Sequence, residues 1–307
     1  MEILRTDDHR FEGLADYAFA PHYREVVAGD GTALRFHFLD EGPREAAPVL
    51  LLHGNPTWCY LYRHLVPGLV ERGHRVLALD LMGMGRSDKP TDQNEYTMAA
   101  HVDWMGQWLE GEDLTDITLF CQDWGGILGL CLLPDHGDRF ARVVAANTGL
   151  PEGRGMNKFM EDWLAFSQSV DVLPVGALVQ GGTTRTLSDA EVAAYEAPFP
   201  DGSFQAGPKR FPVLIPLQPD NPGVPRAEAT WAYLETWVKP FLTVFGDQDA
   251  VAYKAGAQQV LLDRIPGTAG QPHRVLEGPS HFIQEDAPEE LVAIIDAFVA
   301  DDSPGPA

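Results

Sequence analysis

Asp123 stands in the stretch Cys121-Gln122-Asp123-Trp124-Gly125-Gly126, between an apolar run at 117–120 and a second at 127–133. The first run has strand length and the second helical length, so the glycine pair marks a sharp strand-to-helix turn with one side chain pointing outward. Such a turn holds its central residue in a strained backbone conformation and needs small neighbours. Here the central residue is a carboxylate. A carboxylate nucleophile suits displacement at a saturated carbon, with an alkyl ester as intermediate, whereas a serine with its base suits acyl transfer. The plainer role for Asp123 is to cap the helix that follows, since Asp is a favoured N-cap.

Two residues further along weigh against the plain role. An alkyl ester needs a base to activate water, and His281 lies in Gly278-Pro279-Ser280-His281, after a strand read at 273–276. Asp249, in Gly246-Asp247-Gln248-Asp249 after the run 241–245, supplies the carboxylate that orients an imidazole and stabilises its cation. Asp247 competes for that part and reads as a turn residue. The chain order of nucleophile, acid and histidine is the order found in α/β hydrolases. Water attack on the ester produces an oxyanion that needs backbone donors, and the N–H groups of Trp124 and Asn55 are the candidates. Pro56 stiffens the Asn55 loop, and His53 reads as a structural hydrogen-bonding residue rather than a second base.

Holding these residues requires strands that end at one edge. The unbroken apolar run Pro48–Leu52 fits a strand covered on both faces. Arg75–Leu79 reads as another, followed by the turn-rich loop at 83–88. Met98, Val102, Met105 and Leu109 recur at helical spacing, and 142–146 gives a further strand. The runs 23–27 and 34–39 flank Gly29-Asp30-Gly31 as a hairpin at the sheet edge. This alternation predicts an α/β fold with a mostly parallel sheet flanked by helices, whose sites lie at the carboxyl ends of strands. The rhythm breaks between about Pro151 and Pro225, where Trp163-Leu164-Ala165-Phe166, a Gly-Gly-Thr-Thr turn, a capped helix at 188–195 and a Pro-rich segment follow one another. That stretch reads as a helical cap inserted after the sixth strand. The chain thus divides into a first part of the main domain (1–150), the cap (151–225), a second part (226–300) and a flexible tail (301–307). The second part includes a helix at 230–237 and an amphipathic last helix bearing Leu291, Ile294, Ile295 and Phe298.

The composition narrows the partners. The 307 residues are 45% hydrophobic, enough for a substantial core, and 22 Lys plus Arg against 45 Asp plus Glu give a net charge of -23. That charge repels polyanions and excludes nucleic acid; it reads as a solubility or salt-adapted surface. The opening lacks the apolar core of a signal peptide and no run reaches the ~18 apolar residues of a membrane helix, so a soluble, cytoplasmic protein is expected, its oligomeric state open with a monomer favoured. Cys59, Cys121 and Cys131 are too few and wrongly spaced for a disulfide scaffold or a zinc site and read as packing residues; no metal site is expected.

The stretches HGNPTW, YLYR, DLMGMGRSDKP, CQDWGG, YEAPFPDGSFQAG and GPSHFIQED closely resemble the haloalkane dehalogenases, within them the subfamily whose acid follows the seventh strand. The likeness runs nearly end to end. It implies an α/β-hydrolase fold with a helical cap and a cofactor-independent reaction of a small apolar halogenated substrate with water. Asp123 displaces halide, then His281, paired with Asp249, activates water to release a primary alcohol. Halide is a weakly basic leaving group that needs N–H donors in a dry pocket, and an indole only donates. Trp124, beside the nucleophile, is the first such donor; the resemblance makes Trp163 the second and Asn55 a third. One branch of the subfamily carries Glu at the Asn55 position. Phe166, Phe199 and Phe204 are candidates for the pocket wall. An epoxide hydrolase shares the Asp, His and acid but uses cap tyrosines to protonate the opening alkoxide, and this cap offers Tyr195. A non-catalytic receptor on the same fold would be expected to have lost one of these groups, and a Ser-type esterase is disfavoured by Asp123 itself.

Overall fold

The unbroken apolar runs form the centre of one eight-stranded sheet in this computed structural model, which describes residues 1–300. In chain order the strands are β1 (His22–Val27), β2 (Ala33–Glu41), β3 (Pro48–Leu52), β4 (Arg75–Leu79), β5 (Ile117–Gln122), β6 (Phe140–Ala146), β7 (Phe241–Gly246) and β8 (Arg274–Leu276). They lie side by side as β8-β7-β6-β5-β3-β4-β2-β1. β3 to β8 are parallel, and β1 and β2 form the antiparallel hairpin at one edge. Every residue of β3 and β5 is buried, because helices cover both faces. The order reverses around β3, so the loops after β3 and β5 open a crevice between them at the carboxyl edge. A separate antiparallel pair joins Ile3–Leu4 to Lys89–Pro90.

The main-sheet helices are α1 (Leu65–Val70), α2 (Met98–Gly111) and α3 (Trp124–His136). The Thr97 hydroxyl caps α2 by accepting the Ala100 N–H. After β6 come α4 (Lys158–Ser169), α5 (Val175–Gly181), α6 (Asp189–Glu196) and α7 (Ala206–Leu214), then α8 (Val224–Leu234), which packs on α3. The helix expected at 230–237 therefore begins and ends earlier. Pro225 lies in its first turn, where a missing N–H costs nothing, and the chain turns after Leu234. The last elements are α9 (Ala257–Arg264), α10 (Ile283–Asp286) and α11 (Pro288–Ala300), the last burying Leu291, Val292, Ile295 and Phe298. His273 stands just outside β8, its ring accepting the Thr243 N–H at 3.1 Å. The tail expected to be flexible lies outside the described residues. No described helix is long and apolar enough to cross a membrane.

The segment between β6 and β7 is held unevenly. Ser188 and Glu191 form a reciprocal capping box on α6. Glu191 pairs at 2.7 Å with Arg63, which also makes 2.6 and 2.9 Å bonds to Glu285 of α10. The Tyr195 hydroxyl donates to Glu285, and Arg185 joins both glutamates. Arg63 and Glu285 are each 1% exposed, and removing one partner of such a buried pair costs about 3–5 kcal/mol. α4 buries only Met160 and Ser167 and leaves Phe159 and Phe166 at 50% and 39% exposure.

Candidate active site

Asp123 follows β5 with φ 51° and ψ −124°, a conformation that non-glycine residues adopt only under constraint. It stands at the start of α3 but makes no capping bond there. Its Oδ1 instead accepts the Asn55 N–H at 2.8 Å, so capping is not its role. The register explains the meeting: Leu52 of β3 lies opposite Cys121 of β5, and two residues on, the β3 loop faces the turn. Gly54 is required for this approach, because a Cβ there would lie 2.2 Å from Asp123 Oδ1. Gly125 is required behind it, where a Cβ would meet the Leu52 carbonyl oxygen at 2.1 Å.

His281 brings Nε2 to 3.4 Å from Asp123 Oδ2 and Nδ1 to 3.1 Å from Asp249 Oδ1. Asp249 follows β7 and is fixed by the N–H groups of Val251, Ala252 and Tyr253 at 2.9, 3.1 and 3.1 Å. Asp247 turns away to accept the Gly278 N–H at 2.8 Å, as a turn residue does. Burial works to lower the His281 pKa, but the hydrogen bonds and charges of Asp123 and Asp249 outweigh it and push the pKa up to about 10. Burial works to raise the Asp249 carboxyl, and its bond to His281 outweighs that and lowers it. His53 is fully buried, with Nδ1 2.8 Å from the Gly54 carbonyl and Nε2 accepting the Leu81 N–H at 3.0 Å, which is a structural role.

A cavity of about 440 Å³ opens over these groups, and its wall includes Asn55, Asp123, Trp124, Trp163, Phe166 and His281. Trp124 is 2% exposed and makes a T-shaped contact with Phe211, while Trp163 stacks on Phe166 with centroids 6.2 Å apart. Five of the six site residues singled out from the sequence line this cavity, and the sixth, Asp249, reaches it through His281. Phe199 and Phe204 do not line it; Phe199 is 4% exposed in the core and Phe204 packs against that core. Tyr195 is also off the wall, its hydroxyl committed to Glu285. Phe159, Val251 and Phe282 line the cavity and were not singled out, although their places beside Trp163, Asp249 and His281 in the chain point to them. A second cavity of about 310 Å³ meets the first at Asp123, Met160, Ile215 and Val251.

His37, Cys59 and Asp80 come close enough to hold a metal, but the Asp80 oxygens are already engaged. They pair with His37 at 2.6 Å and accept the N–H groups of Cys59 and Arg86 at 2.7 and 2.8 Å. The cluster folds the loop after β4. All three cysteines are buried and free.

A family model described as alpha/beta hydrolase fold matches residues 47–288. The chain is 48% identical over 302 residues to a haloalkane dehalogenase of Psychrobacter cryohalolentis, covering 98% of this chain and 99% of that one. It is 50% identical over 292 residues to haloalkane dehalogenase 1 of Mycobacterium tuberculosis, covering 95% and 96%. Among solved structures, the tetrameric haloalkane dehalogenase DpaA from Paraglaciecola agarilytica superposes with a TM-score of 0.88 at 34% identity, covering 95% of this chain and 97% of that one.

Proposed function

Given that the chain belongs to the haloalkane dehalogenases of the α/β-hydrolase family, we propose that Asp123, His281 and Asp249 carry out its dehalogenation in a cavity that binds halide. Hydrolytic dehalogenation is the reaction that membership assigns. The substrate is a small apolar haloalkane, and the products are a primary alcohol and halide. Residues 151–225 serve as the cap over the site.

In the first half, Asp123 Oδ2 attacks the carbon that bears the halogen. A C–O bond forms, the carbon–halogen bond breaks, and its electron pair leaves on the halide. The indole N–H groups of Trp124 and Trp163 and the Asn55 amide receive that charge away from water. In the second half, water attacks the Asp123 carboxyl carbon and gives one proton to His281 Nε2. The oxyanion is held by the N–H groups of Asn55 and Trp124. The acyl C–O bond then breaks, the alcohol takes its proton from His281, and the Asp123 acid releases a proton. No cofactor enters.

The switch between halves is electrostatic. While Asp123 is an anion, it and Asp249 keep His281 protonated, with its pKa up to about 10. Esterification removes one of the two anions. Burial then opposes Asp249 alone, the imidazole loses its proton more readily, and it becomes the base when water needs one.

The observation that carries the reading is the Asp123 carboxyl, set between the Asn55 N–H at 2.8 Å and His281 Nε2 at 3.4 Å in a cavity walled by Trp124 and Trp163. The epoxide hydrolase reading loses support because Tyr195 donates to Glu285 outside the cavity. The test is bromide release from a short bromoalkane by the purified protein beside Asp123→Asn, with a simple epoxide tried separately. Release that needs Asp123 is the expected result; diol from the epoxide without bromide would overturn it. The protein is read as a monomer, checked by light scattering; a tetrameric mass would align it instead with DpaA.

A further inference from the structure

Asn147 follows β6, is fully buried, and has a left-handed φ of 38°, which asparagine tolerates better than most side chains. Its neighbours in register are Gln122 opposite Ala146 and Ala146 opposite Val244, so position 147 lies one step beyond the ends of β5 and β6 and beside the last residues of β7. Each of its polar groups reaches a different segment of the chain. Its backbone carbonyl accepts the Asp123 N–H at 3.3 Å. Its Oδ1 accepts the Gly246 N–H at 2.9 Å, three residues before Asp249. Its Nδ2 donates to the Ser280 and His281 carbonyls at 2.7 and 3.0 Å.

We propose that Asn147 is the positioning residue of the site, its side chain setting the His281–Asp249 pair against Asp123 for hydrolysis of the ester. The inference rests on the roles given above to Asp123, His281 and Asp249. Asn147 bonds to the backbones that carry these groups and to none of their side chains. Gly246 closes β7 and His281 lies in the loop after β8, and the one carboxamide ties them together. It thereby sets the 3.1 Å contact between His281 Nδ1 and Asp249, and the 3.4 Å approach of Nε2 to Asp123. A misplacement of about 1 Å at a reacting group can cost about a hundredfold in rate. Gln122 Nε2 also donates to the His281 carbonyl, at 3.0 Å, so the histidine loop keeps one anchor without Asn147 and the loss is partial.

The link to Asp123 is different in kind. It uses a backbone carbonyl, which any residue at 147 retains. Halide displacement, which needs Asp123, is therefore less sensitive to the side chain than ester hydrolysis, which needs the His281–Asp249 pair. That inequality separates positioning from general structural support.

Asn147→Gly tests it, because glycine accepts φ 38° and removes only the carboxamide. Asn147→Asp keeps the acceptor for Gly246, loses the donor to Ser280 and His281, and carries the test if the glycine variant does not fold. Rapid-mixing bromide release and intact mass are measured for wild type and both variants. The expected result is a burst of about one bromide per site at a rate within roughly threefold of wild type, then turnover slowed roughly ten- to hundredfold, with alkyl-enzyme accumulating. Variants whose burst and turnover fall together, or which match wild type, would overturn the positioning role. Absence of Asp123-dependent bromide from wild type would instead sink the dehalogenase mechanism on which it rests.

Discussion

Asp123→Asn replaces the anion beside His281 with a neutral group of the same shape, much as esterification does. Two unit charges at the observed 3.4 Å, with an effective dielectric of about 20, interact by roughly 332/(20 × 3.4), or about 4.9 kcal/mol. At 1.36 kcal/mol per unit, that is about 3.6 pKa units. Starting from about 10, His281 in the variant titrates near 6 to 7. The assay is a pH titration of the histidine Cε1–H signals by NMR; the chain has 10 histidines, and His281→Phe assigns the one that matters. Stability follows the same sign. A folded-state pKa raised above the unfolded 6.5 gives stability that is fully present below 6.5 and lost as pH rises through about 10. The wild-type unfolding midpoint therefore declines across that interval, and the Asp123→Asn midpoint declines less. A His281 pKa that changes by under about one unit between the two proteins would refute the electrostatic switch.

His281→Phe removes the base and leaves the nucleophile, so a stable alkyl-enzyme should appear by intact mass after exposure to a bromoalkane; an unmodified mass would count against the ester pathway. Trp163→Phe should weaken bromide quenching of tryptophan fluorescence severalfold with the fold retained, and unchanged quenching would assign the second halide donor elsewhere. His101 concerns stability: neither ring nitrogen has a partner among the described residues, the ring packs 4.7 Å from Phe211, and burial drops its pKa to about 3. Because the unfolded chain takes up that proton from pH 6.5 downward, His101 costs about 2.7 kcal/mol at pH 4.5. His101→Phe should recover most of that at pH 4.5 and much less at pH 7, read from urea midpoints; equal shifts at both pH values would refute it.

The three candidate catalytic groups were legible because each lies in a loop after a parallel strand, one, three and five residues past the ends of β5, β7 and β8, and parallel strands deliver their loops to one edge whatever else the chain does. Trp124 was legible through its neighbour. Trp163 depended on resemblance, since the helical spacing of apolar residues in α4 shows which of them share a face and not what that face binds. Phe199 and Phe204 misled for a related reason: an aromatic type marks burial, and burial in this segment is divided between the core and the cavity. Tyr195 was ambiguous until Glu285, 90 residues away, accounted for its hydroxyl. Asn147 left no local signal at all. Its part follows from strand register, and register is set by pairings between segments up to 100 residues apart.

The uneven fastening of the segment after β6 bears on how this lineage can change. Buried Arg63 holds both the buried Glu285 and the partly buried Glu191, so replacing Arg63 or Glu285 strands a charge in the interior, and tolerable variants there are few. On α4, Phe159, Trp163 and Phe166 face the cavity while contributing little to the buried core, so their replacement alters what enters without threatening the fold. Mutation is thereby directed: under the proposed assignment of the cavity, descendants can exchange one haloalkane for another by rewriting a single helix, while the opposite side of the same segment stays almost closed to inherited change.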